Sequence, residues 1–285
     1  MTIDPATSIG PVTLTVADLD GQAAFYRDAI GLPELRRAGD VVELGAPGGE
    51  TPLVTLVGRP DAPPRPPRTT GLFHLALLVP SRADLARSLH RVTAAGHRFT
   101  GASDHLVSEA LYLDDPEGNG IEIYRDRPRE EWTYAAGELE MDTLPLDLEG
   151  VVASITAGDT SSAAMAEGTR IGHVHLQVAT IPETEAFYVG ALGFEPTVRS
   201  YPGALFVSAG GYHHHLGLNT WAGPGAPAPP PGARGLRSFT IVLPDDASLS
   251  ATLERAAAAG VDVDLADGRA TVTDPSGNAA VLTTR

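Results

Sequence analysis

The chain has no cysteine, and that absence excludes disulfides, thiolate nucleophiles and every cysteine-based zinc or iron–sulfur site. Any metal must sit on histidine and carboxylate. Lysine is missing too, since all 20 basic residues among the 285 are arginine, so neither a Schiff-base lysine nor a phosphate-loop lysine can operate. Apolar runs stop well short of the roughly 20 residues that a membrane span needs. The first residues, MTIDPATSIGPV, carry no basic segment followed by an apolar one, and a cytoplasmic location is the expectation. Positive charge is scarce. Thirty-six acidic residues give a formal net charge of -16, which repels phosphate backbones and anionic bilayers, so no nucleic acid and no membrane is expected as a partner.

What the chain does have is repetition. The segment GPVTLTVADLDGQAAFYRDAIGLPELRR from Gly10 aligns without a gap with GHVHLQVATIPETEAFYVGALGFEPTVR from Gly172. A second pair aligns GLFHLALLVPSRADLARSLHRVTAAGH from Gly71 with GLRSFTIVLPDDASLSATLERAAAAGV from Gly235, and DDPEGNGIEIY at 114–124 with TDPSGNAAVLT at 273–283. The order is A, B, A′, B′. Each unit opens on an alternating strand pattern, such as Val12, Leu14, Val16 or Val174, Leu176, Val178. An amphipathic helix follows, with Leu85, Leu89 and Val92 before Gly96 in one unit and Phe187, Ala191 and Leu192 before Gly193 in another. Short strands close each unit, the last after an Asp-Pro-x-Gly-Asn turn in units two and four.

The predicted organisation is an N-terminal half (1–135) with modules 8–58 and 71–125, a linker (136–168), and a C-terminal half (169–285) with modules 170–222 and 235–285. Proline-rich connectors at 59–70 and 222–235 separate the modules within each half. The linker, acidic and rich in Ala, Gly and Ser, is expected to run over the surface.

Four βαβββ modules in this order resemble the vicinal oxygen chelate superfamily, which includes glyoxalase I, bleomycin-resistance binding proteins and type I extradiol dioxygenases. The resemblance implies an α+β fold in which paired modules curl into two cupped, barrel-like mixed sheets. The first-strand position is Pro11, His74, His173 and Ser238 in modules one to four, and the position after the Asp-Pro-x-Gly-Asn turn is Glu122 in module two and Val281 in module four. Only one ligand set exists: His74, Glu122 and His173. Two imidazoles and one carboxylate with open positions suit Fe(II), or Mn(II), that must take both a substrate and O2. One metal per chain is expected. Because the three ligands lie in modules two and three, these must share a cup and leave modules one and four to form the other, unless a partner subunit donates His173.

The stretch HLVSEALYLDDPEGNGIEIY, residues 105–124, resembles the extradiol dioxygenase signature around its carboxylate ligand. The resemblance implies that Tyr112, ten positions before Glu122, and His105 orient substrate and intermediates, although the loop from His105 to Tyr112 is about two residues shorter than the signature. The run Tyr212-His213-His214-His215-Leu216-Gly217-Leu218 is similar to the family segment that carries an acid/base histidine. His214 matches it best, and His215 is the fallback. Placed on a strand, His214 would point opposite to His213 and His215, and His175 shares a face with His173. His175 and His215 are the expected substrate contacts. The implied activity is extradiol-type cleavage of a small aromatic diol, a catechol or a hydroquinone, with O2 as co-substrate, in a possible homo-oligomer. A glyoxalase-like metal-dependent lyase or isomerase, or a bleomycin-resistance-like binding protein, is the alternative. A glyoxalase site calls for a fourth ligand, often a carboxylate, from module three, and residues 209–221 contain none.

Overall fold

A computed structural model describes residues 2–156, 159, 163–266 and 269–285. Linker residues 157, 158 and 160–162 lie outside the described residues. Module one runs from β1 (Ser8–Val16) through α1 (Leu19–Phe25), which widens into a π-turn (Tyr26–Ile30), to β2 (Glu34–Ala38), β3 (Val41–Leu44) and β4 (Val54–Gly58). Module two comprises β5 (Gly71–Leu78), α2 (Arg82–Ala94), β6 (Gly101–Asp104), β7 (Ser108–Asp114) and β8 (Gly120–Asp126). β9 (Tyr134–Ala135) ends the N-terminal half, and the linker contributes β10 (Glu138–Leu139), β11 (Leu144–Pro145) and α3 (Leu148–Val152). Module three holds β12 (Arg170–Gln177), α4 (Ile181–Glu185) with its π-turn (Ala186–Ala191), β13 (Glu195–Val198), β14 (Ala204–Ser208) and β15 (Leu216–Asn219). Module four holds β16 (Gly235–Leu243), α5 (Asp246–Ala258), β17 (Val263–Ala266), β18 (Arg269–Thr273) and β19 (Ala279–Thr284). Among the described residues no helix is long and apolar enough to cross a membrane.

In every module the first strand lies parallel to the last, and in each cup the two first strands meet antiparallel. β1 pairs with β4 and with β16, while β5 pairs with β8 and with β12. One sheet, β17-β18-β19-β16-β1-β4-β3-β2, therefore belongs to modules four and one. The other, β11-β6-β7-β8-β5-β12-β15-β14-β13, belongs to modules two and three with one linker strand on its edge. Each sheet takes one module from each half of the chain, the pairing that convergence of His74, Glu122 and His173 required.

Sequential modules are held together on their helical sides, twice over in the same way. Tyr26 of module one donates to Asp115 in the module-two turn at 3.2 Å, and its repeat mate Tyr188 donates to Asp274 at 3.1 Å. Each aspartate also accepts from backbone N–H groups of its own turn and from the turn's asparagine. Gly118 and Gly277 sit at φ of 85° and 86°, where a Cβ would be strained, which accounts for the glycine in both turns. Arg91 and its repeat mate Arg255 reach the carbonyls of Ala29 and Leu192 in the preceding module. Burial of Leu85, Val92, Phe187, Ala191 and Leu192 follows the predicted helical stripes.

Most of the described linker residues are exposed, and the linker is docked at a few points. Leu139, Val151 and Met165 are buried, and the Met165 N–H donates to Gly31 O at 2.8 Å. Its few apolar residues suffice to dock it, because each falls over a cluster left open by the modules.

Candidate active site

His74 on β5 and His173 on β12 come from the two central strands of the nine-stranded sheet. Glu122 lies on β8, level with Ala76 of β5 on one side and Tyr112 of β7 on the other. Irregular pairing between Ile171 and His173 shifts the β12 register. The result is convergence. His74 Nε2 and His173 Nε2 lie 2.9 and 3.0 Å from the same Glu122 oxygen, Oε2, and 3.3 Å from each other. All three residues are buried. Among the described residues this is the one group of three or more histidine or carboxylate side chains whose donor atoms converge within 4.8 Å.

The donor set fits a divalent cation. Donors bound at right angles to an ion at roughly 2.0–2.2 Å lie about 3 Å apart, matching the edges of this triangle. Protonation agrees. Burial pushes the His173 imidazole down to about 4, so it is neutral at neutral pH. Burial would raise the Glu122 carboxyl, but the facing imidazoles, His173 before His74, outweigh it and hold the group well below the usual carboxylate range. A neutral imidazole beside an ionised carboxylate is the state a metal requires. His173 Nδ1 is buried without a hydrogen-bond partner, so its ring is held by packing against His214, 4.1 Å away between ring centroids.

These side chains line a cavity of about 380 Å³, near the small end of the ~300–1,000 Å³ range of small-molecule sites. Its walls are largely aromatic, with Phe73, Tyr112, Tyr201, Phe206 and Trp221 joining the imidazoles. Tyr112 has its hydroxyl 2.6 Å from His105 Nε2. Burial, and then the charge of Glu122, push its phenol well above 10. The hydroxyl therefore stays protonated and donates to His105, whose Nδ1 donates in turn to Asp142 O at 2.7 Å. His105 is part of the cavity wall.

The three consecutive histidines sit differently from the strand expectation. They precede β15 in an irregular turn, so strict alternation does not apply. His214 lines the cavity, and burial holds it well below 6.5. His213 is buried behind it, with Nδ1 2.8 Å from His214 Nδ1 and Nε2 2.9 Å from Asp126 Oδ1. His215, expected beside the substrate, has its Nδ1 accepting the Ala209 N–H at 3.1 Å, and the residues lining this cavity do not include it. His175 lines the cavity. A Cβ at Gly217 would lie 2.8 Å from its ring, so a glycine there gives the imidazole its place.

Sequence reasoning missed Asp126 and His213 as a pair, and the wall residues Met141, Asp142, Thr143 and Tyr201. Asp126 ends a strand with no special pattern around it. The linker residues have no counterpart in the repeat, which removed the main signal.

The profile of the Glyoxalase/Bleomycin resistance protein/Dioxygenase superfamily matches residues 8–123 and 170–282. The chain belongs to this superfamily. Among its relatives, the catechol-2,3-dioxygenase of Bacillus subtilis is 42% identical over 279 residues, covering 96% of both chains. A solved Bacillus subtilis structure provisionally assigned as a dioxygenase superposes with a TM-score of 0.69 at 15% identity, over 100% of this chain and 86% of that one. Glyoxalase I of Zea mays superposes with a TM-score of 0.61 at 16% identity, over 97% and 92%. At these identities the two structures speak to the superfamily fold alone.

Proposed function

We propose that this superfamily member is an extradiol-type dioxygenase that opens a catechol or hydroquinone ring with O2, using one Fe(II) or Mn(II) per chain held by His74, Glu122 and His173. The observation that carries this reading is the buried triangle of donor atoms, 2.9 to 3.3 Å on a side, in the wall of an aromatic cavity. Near-complete likeness to a catechol-2,3-dioxygenase supports it. An ion held there by His74, Glu122 and His173 would supply Lewis-acid chemistry to a diol and O2.

The chain's own residues then have separate tasks. Tyr112, kept protonated with its proton given to His105, presents its hydroxyl oxygen as an acceptor at the substrate edge. His214, neutral and cavity-lining, takes and returns a proton. Phe73, Phe206 and Trp221 offer faces and edges to an aromatic ring and displace water from it. The charge of -16 suits a dissolved diol, and cytoplasmic breakdown of aromatic compounds is the setting this reading implies. Among the described residues the three-membered donor group has no carboxylate as a fourth ligand of the glyoxalase kind.

Anaerobic loading with Fe(II) or Mn(II), elemental analysis, and oxygen uptake with catechol or methylhydroquinone test the reading. One metal per chain and a coloured ring-opened product are the expected results. Glu122→Gln keeps the shape and removes the anion, so metal affinity and turnover should fall together, by about 100-fold or more. Full turnover in that variant with metal retained would refute the assignment of the triad.

A further inference from the structure

The nine-stranded sheet is an open strip, and its two outer regions are β6 on one side and the β13–β14 hairpin on the other. The linker joins them. On the β6 side β11 pairs through Leu144 with Asp104 and Pro145 with Ser103. On the hairpin side the Thr143 hydroxyl lies 2.8 Å from the Tyr201 hydroxyl, and Glu138 accepts the Ser200 N–H at 3.2 Å. Leu139 is buried with Val107, Trp132, Val198 and Phe206, residues of both modules, and Met141 packs on the same cluster.

Between these two anchorages Met141, Asp142 and Thr143 form part of the wall of the cavity that holds His74, Glu122 and His173. The anchorage also reaches the site's polar residues. The Asp142 carbonyl accepts from His105 Nδ1, leaving Nε2 to accept from Tyr112. A displaced linker would release that tautomer.

We propose that the linker is the specificity wall of the site: Met141 and the Thr143–Tyr201 hydrogen bond limit the ring substituent that the cavity accepts, favouring a single-ring diol over one that carries a second aryl group. This rests on the dioxygenase reading for its substrate class. Its physical content is independent of turnover, because a strap tied to both edges of a curled sheet fixes the width of the cup. A methionine thioether gives the wall an adaptable apolar surface, and the hydroxyl pair is a single tie that either partner can break.

The test compares metal-loaded wild type with Met141→Ala, Thr143→Val, Tyr201→Phe and the double variant T143V/Y201F. The reading is the ratio of kcat/KM for 3-phenylcatechol to that for catechol. Met141→Ala should raise the ratio at least about tenfold by making room, and breaking the tie should raise it up to about tenfold. The double variant should match either single variant, because both lose the same bond. A second readout is binding of 4-nitrocatechol under anaerobic conditions with amide exchange of residues 139–145, which the ligand should slow in wild type and less in Thr143→Val. Unchanged ratios in Met141→Ala and Thr143→Val, with near-ultraviolet circular dichroism intact, would overturn the wall. If wild type cleaves no diol the dioxygenase reading fails, and nitrocatechol protection alone decides the strap: absent protection overturns it, and protection weakened by Thr143→Val upholds it.

Discussion

His213 has both ring nitrogens committed, and proton counting fixes the state of its neighbour. The Asp126 carboxylate can only accept, so His213 Nε2 carries the proton shared across 2.9 Å. With that proton on Nε2 and a lone pair on Nδ1, His213 would accept from His214 Nδ1 across the 2.8 Å between them. His214 is left with an unprotonated Nε2, the tautomer a proton acceptor needs. Tyr212 donates to the same Asp126 oxygen at 3.1 Å and lies 2.7 Å from the Tyr124 hydroxyl, so the carboxylate is held from two sides. Asp126→Asn removes the charge that keeps the proton on His213 Nε2. We expect kcat to fall by about 10- to 100-fold while metal content stays at the wild-type level. Elemental analysis beside steady-state kinetics checks it, and an unchanged kcat would show that the dyad does not orient His214.

At the scale of elements, much of the architecture was readable in the repeat and the rest was not, for physical reasons. Gapless alignment located the four modules and both Asp-Pro-x-Gly-Asn turns; the Tyr26 and Tyr188 anchors and the Arg91 and Arg255 reaches, which it did not single out, recur because duplicated modules keep duplicated contacts. The module pairing was legible because a metal ligand set must converge on one point. The turn at His213–His215 was not, because a short polar run between Tyr212 and Leu216 has a strand-like pattern and tertiary contacts decide its course. Nor was the network around Glu109, buried on β7 with Arg82, Arg125 and Arg127 all within 3.4 Å of its oxygens. Arg82 opens α2 and also reaches Asp147, whose carboxylate caps α3. One carboxylate thus ties a helix, two strands and the linker. Glu109→Gln should lower stability by about 2 kcal/mol, toward the small end for a buried network because the arginines reach solvent. That corresponds to a Tm lower by roughly 4–8 °C, read by calorimetry. A Tm equal to wild type would mean that the cost of burying the Glu109 carboxylate cancels its attraction to the arginines.

For the whole molecule, four of the six buried imidazoles make acid the weak direction. His173 is held to about 4 and His215 to about 3, and His175 and His214 also lie well below 6.5, in every case chiefly because burial disfavours the charged form. In the unfolded chain each regains an ordinary histidine value near 6.5. Between the folded and unfolded values the unfolded chain binds more protons, so this stability is complete above about pH 6.5 and is lost as pH falls toward 4. The steepest slope is up to about 1.4 kcal/mol per pH unit for each histidine. Urea denaturation of metal-free protein should therefore show a midpoint that drops between pH 7 and pH 5, where carboxylates of ordinary pKa contribute little. Metal sharpens the contrast. A divalent ion bound by the proposed triad requires neutral His74 and His173, and at about 100 times its Kd it adds about 2.7 kcal/mol at pH 7. Because protons compete for the same nitrogens, that increment should shrink on acidification. His74 and His173 come from opposite halves of the chain, so the gain should appear as one shifted cooperative transition. Separate melting of the halves, or a urea midpoint flat from pH 7 to pH 5, would contradict the account of a shared buried histidine core.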